Sequence, residues 1–174
     1  MLWRNLPFVL FLILAGCPAL YTTSPRYGGK RQIKPRKPSS TTIIRHPIEE
    51  KKGMLPWPVA GNVISNFGVQ VDQKYGTKTK NLGIDISCKR GSPVKAIYQG
   101  KVSYADVFMG QGLMVILEHG GGYYSVYSRL EEIKVNSGEK VEAGEVLGLS
   151  SDVAHFEIRV GGIAVDPIEW LEKR

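Results

Sequence analysis

Asn81-Leu82-Gly83-Ile84-Asp85-Ile86 and Val153-Ala154-His155-Phe156-Glu157-Ile158-Arg159 are two short segments written in the period of a β-strand. In an extended chain residues i, i+2 and i+4 share a face, so Asn81 and Asp85 point one way while Leu82, Ile84 and Ile86 point the other. The second segment repeats the arrangement, with Val153, His155, Glu157 and Arg159 on one face and Phe156, Ile158 and Val160 on the opposite one. The apolar faces are built to pack. Two such polar faces, set side by side, could hold a metal.

Working outward, similar short runs rich in Val, Ile and Tyr recur at 62–67, 93–98, 101–105, 113–118 and 123–130, separated by glycine turns. Their close spacing predicts an all-β fold, a compact antiparallel sandwich or barrel-like domain, and no helix of normal length is evident. A weak repeat agrees with two related halves. Gly91-Ser92-Pro93-Val94-Lys95-Ala96 returns as Gly138-Glu139-Lys140-Val141-Glu142-Ala143, each followed by a Gly-x-Val turn.

The N-terminal part reads differently. Residues 1–16 carry one charge, Arg4, before the apolar run 6–15, which is too short for a permanent membrane span and predicts a signal segment. It closes on Leu14-Ala15-Gly16-Cys17, the pattern of a bacterial lipobox, so Cys17 is the expected lipidation site and membrane anchor. Lipidation leaves Cys88 without an intramolecular disulfide partner. From 17 to 55 the composition turns to Pro, Ser, Thr, Gly and Lys/Arg, which predicts a disordered tether with a root-mean-square span of roughly 35 Å. The whole chain carries a net +7, but nine Lys/Arg against two Glu between 17 and 52 account for that excess. Residues 53–174 hold thirteen Lys/Arg against fourteen Asp/Glu, with no patterned basic face, and nucleic-acid binding is excluded on that ground. The expected domains are therefore a signal at 1–16, a lipidated linker at 17–55 and a folded domain at 56–174.

Trp57-Pro58-Val59-x-Gly61 with Phe67-Gly68, the Gly83-Ile84-Asp85-Ile86 strand, Gly91-Ser92-Pro93-Val94, Glu118-His119-Gly120, Tyr127, His155-Phe156-Glu157-Ile158-Arg159 and Val165-Asp166-Pro167 stand in a characteristic order. Together they resemble a LytM domain, the lysostaphin-type zinc metallopeptidases, over about residues 56–172. The resemblance implies the duplicated hybrid motif with an open groove. It also implies a zinc site from His-x-Gly-x-Asp and the second His of His-x-His, with two assisting histidines, the first of that pair and one in a Tyr-x-His segment. Active members cut peptidoglycan cross-bridges.

Carried over by position, this chain keeps Asp85 and His155 as vestigial metal ligands. Asn81 stands where the first ligand histidine belongs, Val153 replaces the first His of His-x-His, and Arg129 replaces the assisting histidine of Tyr127-Ser128-Arg129. An amide is a poor zinc ligand and no second imidazole remains for proton transfer, so neither zinc nor catalysis is expected. Arg129 is a natural partner for Asp85 across the groove. Losses of this kind resemble the murein hydrolase activators of the EnvC and NlpD types, in which a degenerate LytM domain switches on a cell-wall amidase during cell separation. The expectation is a non-catalytic regulator of peptidoglycan hydrolysis, with Asn81, Asp85, Arg129, His155 and Tyr127 as partner-groove candidates. Its expected partners are a cell-wall amidase, peptidoglycan and, through the lipid, the membrane. Pro18 after the lipid cysteine favours the outer membrane, facing the periplasm. Two alternatives stay open, a divergent zinc metalloendopeptidase and a passive peptidoglycan-binding module.

Overall fold

The structure, a computed structural model, describes residues 46–174. The expected signal, Cys17 and most of the tether lie outside the described residues. Eleven strands follow in order: β1 (Asn62–Ser65), β2 (Gly68–Val71), β3 (Lys78–Asn81), β4 (Ile84–Ser87), β5 (Pro93–Lys95), β6 (Gly100–Phe108), β7 (Gly112–Gly120), β8 (Tyr123–Ile133), β9 (Lys140–Val141), β10 (Val146–Val160) and β11 (Ile163–Val165). Nine of them form one antiparallel sheet in the order β1-β4-β10-β8-β7-β6-β9, with β5 and β11 also paired to β10. β2 and β3 form a separate two-stranded ribbon. The all-β antiparallel class is as expected.

The alternation of apolar residues explains where the core sits. Ile84 and Ile86 are fully buried, while Asp85 between them turns to the other face. Tyr127, Phe156, Ile158, Val115 and Leu117 continue the same layer across the sheet, closed by Val94, Ile97 and Leu147. The core cluster runs from Ile48 to Leu171, so residues 46–174 carry a complete core of their own. The two sequence repeats meet antiparallel: Gly144 and Ala96 share a backbone bond, Gly100 pairs with Val141, and Gly138 donates to Val102.

One expectation needs correcting. The folded domain does not begin at 56: Ile48 and Leu55 are buried, Leu55 bridges Leu171 in parallel, and Gly53 and Leu55 donate to the Trp170 carbonyl. His46, read as part of the tether, stacks on Tyr123 with ring centroids 5.3 Å apart.

Candidate functional site

β4 and β10 lie side by side with Asp85 opposite His155, which realises the juxtaposition of the two polar faces. Their close approach requires Gly83, because a Cβ there would collide with the Phe156 carbonyl. The His155 Nδ1–H donates to Asp85 Oδ1 at 2.6 Å, and its Nε2–H donates to Glu157 Oε1 at 3.1 Å. Arg159 closes the far end, with Nε and Nη2 at 2.8 and 2.7 Å from Glu157 Oε2. Arg129 closes the near end, its Nη1 3.3 Å from Asp85 Oδ1, as expected for that pair. The result is a line of alternating charge, Arg129–Asp85–His155–Glu157–Arg159.

Both ring nitrogens of His155 donate to carboxylates, which defines an imidazolium. Burial alone would push this histidine toward neutrality, but the hydrogen bonds and charges of Glu157 and Asp85 outweigh it and raise its pKa. Burial likewise works to raise the Glu157 pKa, and the bonds from His155 and Arg159 overcome it and hold the carboxyl below its usual range. His155 and Glu157 are each 5% exposed, so the centre of this ionic line is buried while its two arginine ends reach the surface.

Arg129 reaches the groove through an unusual backbone. Its φ is 59°, and it is the one non-glycine residue with positive φ among the described residues. On one side β8 pairs Leu130 with Leu113 and then Tyr127 with Val115, on the other Leu130 with Ser150 and then Ser128 with His155, so both partners skip Arg129. The bulge costs about 1–2 kcal/mol of left-handed strain and directs the guanidinium over Asp85. Arg129 N–H is held by the Gln111 carbonyl at 3.0 Å.

Asn81 also lines the groove, but its side chain works locally. Its Nδ2 donates to Ser65 Oγ at 3.0 Å and its Oδ1 accepts the Gly83 N–H at 3.1 Å, which pins the corner between β3 and β4. That corner interrupts the strand alternation, so Leu82 is half exposed at the groove instead of joining Ile84 in the core. Asn81, Asp85, Arg129 and His155 thus come together around a pocket of about 280 Å³. Tyr127 does not join them. It faces the core against Phe156, its hydroxyl accepts the Ile97 N–H, and burial pushes the phenol far above its ordinary pKa. The bulge at Arg129 reverses the phase of β8, placing residues 127 and 129 on different sides. Glu157 and Arg159 were missed as site residues, although their alternation with His155 was the available signal.

These groups do not fit a zinc ion. A ligand histidine must offer a lone pair, and neither His155 nitrogen has one free; Asp85 is engaged by two cations; the Asn81 oxygen holds Gly83; Val153 offers hydrocarbon. Among the described residues no group of three or more His, Cys, Asp or Glu is arranged to hold a metal ion. Beside the polar pocket, and sharing Leu82, Gln111 and Glu157 with it, an apolar trough of about 500 Å³ is lined by Phe108, Met114, Ile116, Tyr124 and Val126.

Comparison with known proteins gives the same outline. The profile of peptidase family M23 matches residues 79–167. The murein hydrolase activator NlpD of Salmonella typhimurium is 34% identical over 143 residues, which cover 78% of this chain and 35% of that protein. The outer membrane antigenic lipoprotein B of Haemophilus influenzae is 35% identical over 124 residues, covering 67% of this chain and 29% of its own length. The match thus spans about a third of each of these relatives. The catalytic domain of lysostaphin from Staphylococcus simulans superposes with a TM-score of 0.54 at 26% identity, covering 62% of this chain and 90% of that domain.

Proposed function

The chain belongs to peptidase family M23, and on that premise we propose that it is a non-catalytic regulator of the bacterial envelope, one that switches on a peptidoglycan amidase rather than cutting the wall itself. The observation that carries this reading is the state of His155. A family peptidase needs an imidazole lone pair on zinc and a second histidine to move protons. Here His155 is clamped as a cation between Asp85 and Glu157, and Arg129 and Val153 fill the assisting positions. Zinc would have to break two buried ion pairs to bind. What remains is a recognition surface: a cation, Arg129, in a polar pocket that adjoins an apolar trough, a combination suited to an interface anchor. The name of the Salmonella relative supports regulation of murein hydrolysis, and that of the Haemophilus relative supports lipid anchoring through Cys17 at the outer membrane.

Release of dye-labelled peptidoglycan by a purified amidase, with and without this protein, tests the reading. Wild type stimulates release and Arg129→Ala does not, while thermal unfolding of the variant stays within a few degrees, because a pair whose guanidinium reaches water contributes only about 0–1 kcal/mol. The purified protein is metal-poor and releases nothing by itself. About one zinc per chain, with muropeptide release abolished by His155→Ala, would establish the metalloendopeptidase instead. Peptidoglycan binding without any amidase stimulation would establish the passive module. Labelled fatty acid should enter the wild type and not Cys17→Ser.

A further inference from the structure

One wall of the groove belongs to the β2–β3 ribbon, and the ribbon has a second side. Gly68 pairs with Asn81 and Gln70 with Thr79, and these residues turn toward the groove. Alternation sends Val69, Val71, Lys78 and Lys80 to the outer side, where Val69 faces Lys80 and Val71 faces Lys78. Val69 is 64% exposed and Val71 55%; both lysines are exposed, and Lys80 also edges the groove. At the tip, Asp72 Oδ1 accepts the backbone N–H groups of Lys74 and Tyr75, each at 2.8 Å. Gly76 then turns with φ 65°, leaving Tyr75 71% exposed beneath the Lys74 ammonium, which lies 5.0 Å from the ring centroid. The ribbon's one acid is occupied by the turn. Among the described residues Lys74, Lys78 and Lys80 make no ion pair.

Two exposed valines, an exposed tyrosine and three free lysines on one small hairpin need a partner that is apolar and anionic at once. We propose that the outer side of the β2–β3 ribbon is a membrane-contact surface that seats in the headgroup layer of an anionic bilayer. The lysines meet lipid phosphates while their stems lie along the valines, and tyrosine takes the boundary position that suits a ring with one wet end. A soluble polyanion would use the lysines alone and leave Val69 and Val71 in water, which is why the bilayer is the favoured occupant. The inference does not depend on the amidase, since it concerns the side of the ribbon turned away from the groove. It does give the lipid surface a direct grip on the element that carries Asn81.

The test uses residues 46–174, which hold the complete core and lack the seven Lys/Arg found between residues 17 and 45. The protein is floated with vesicles of phosphatidylcholine and with vesicles of equal parts phosphatidylcholine and phosphatidylglycerol. Partition is expected with the anionic vesicles only. Lys74→Gln/Lys78→Gln/Lys80→Gln should lower it about fivefold per lysine, roughly a hundredfold in all. Val69→Ser/Val71→Ser should lower it severalfold, and Tyr75→Trp should shift its emission to the blue on anionic vesicles alone. The ribbon lies outside the core cluster, so each variant should unfold at the wild-type temperature. Equal flotation with both vesicles, none with either, or an unchanged triple variant would overturn the proposal. So would loss of binding in the lysine variant but not the valine variant, with soluble polyphosphate competing, which would mark a general polyanion site.

Discussion

His155 and His119 each spend both ring nitrogens on hydrogen bonds, and the sheet holds them in opposite charge states. His155 donates to Asp85 and Glu157 and is an imidazolium. His119 donates from Nδ1 to the Gln99 carbonyl at 2.8 Å, so its Nε2, 2.8 Å from Ser125 Oγ, accepts the serine proton as a neutral ring. Ser125 Oγ lies 3.0 Å from the Tyr127 hydroxyl, which completes a neutral chain ending at the Ile97 N–H. Burial lowers the His119 pKa, with His46 adding to the effect and the bond to Gln99 opposing it. Burial thus drives both rings toward neutrality, and only paired carboxylates reverse it. The chemistry of a buried histidine here is set by its partners.

The largest expected break in this contrast comes from His155→Ala. It removes the cation between a half-buried Asp85 and a buried Glu157, each left with one arginine, and should cost about 3 kcal/mol, seen as a fall in unfolding temperature of roughly 10 °C. If His119→Ala, which leaves only neutral groups unpaired, lowers the unfolding temperature equally, the distinction between the two sites fails. Tyr127→Phe tests the neutral chain from its core end. It strands the Ile97 N–H and should cost about 1–3 kcal/mol in denaturant unfolding, without change in amidase stimulation.

Arg129→Gly sharpens the comparison from the other side. Glycine accepts a φ of 59° freely, and the lost pair with Asp85 is screened by water at its arginine end, so stability should hold or rise by up to about 1 kcal/mol while amidase stimulation disappears. A coupled loss of both would make Arg129 a structural residue. The smallest effect is a slope. Because the folded pKa of His119 is depressed, the unfolded chain takes its proton first as pH falls below about 6.5. The stability contributed by neutral His119 is therefore complete above that pH and lost progressively below it. His119→Gln should flatten this acid-side fall, measured as unfolding free energy at several values between about pH 7 and 5.

Strand alternation carried most of the fold in the sequence, since Ile84 and Ile86 are buried with Asp85 turned away from them. It failed where the backbone departs from regular pairing. One extra residue at Arg129 moved Tyr127 to the core, and nothing in Tyr127-Ser128-Arg129 announces a bulge. The ribbon escaped notice because neither of its sides joins the core, so no apolar period marks it. Ile48 and Leu55 were hidden among charged neighbours; their burial depends on Trp170 and Leu171, more than a hundred residues away. The Asp85–Arg129 pair was legible from the substitution pattern. The imidazolium was not, because it needs Asp85 and Glu157 placed on both nitrogens at once.

Strand β10 accepts β4, β5, β8 and β11 as partners, and it is the last long strand in chain order among the described residues. Until residues 146–160 arrive, β4 and β5 lack their main neighbour and the core layer around Phe156 is missing. Such late, long-range closure slows folding, because the loop entropy of the whole upstream chain is spent before its contacts form.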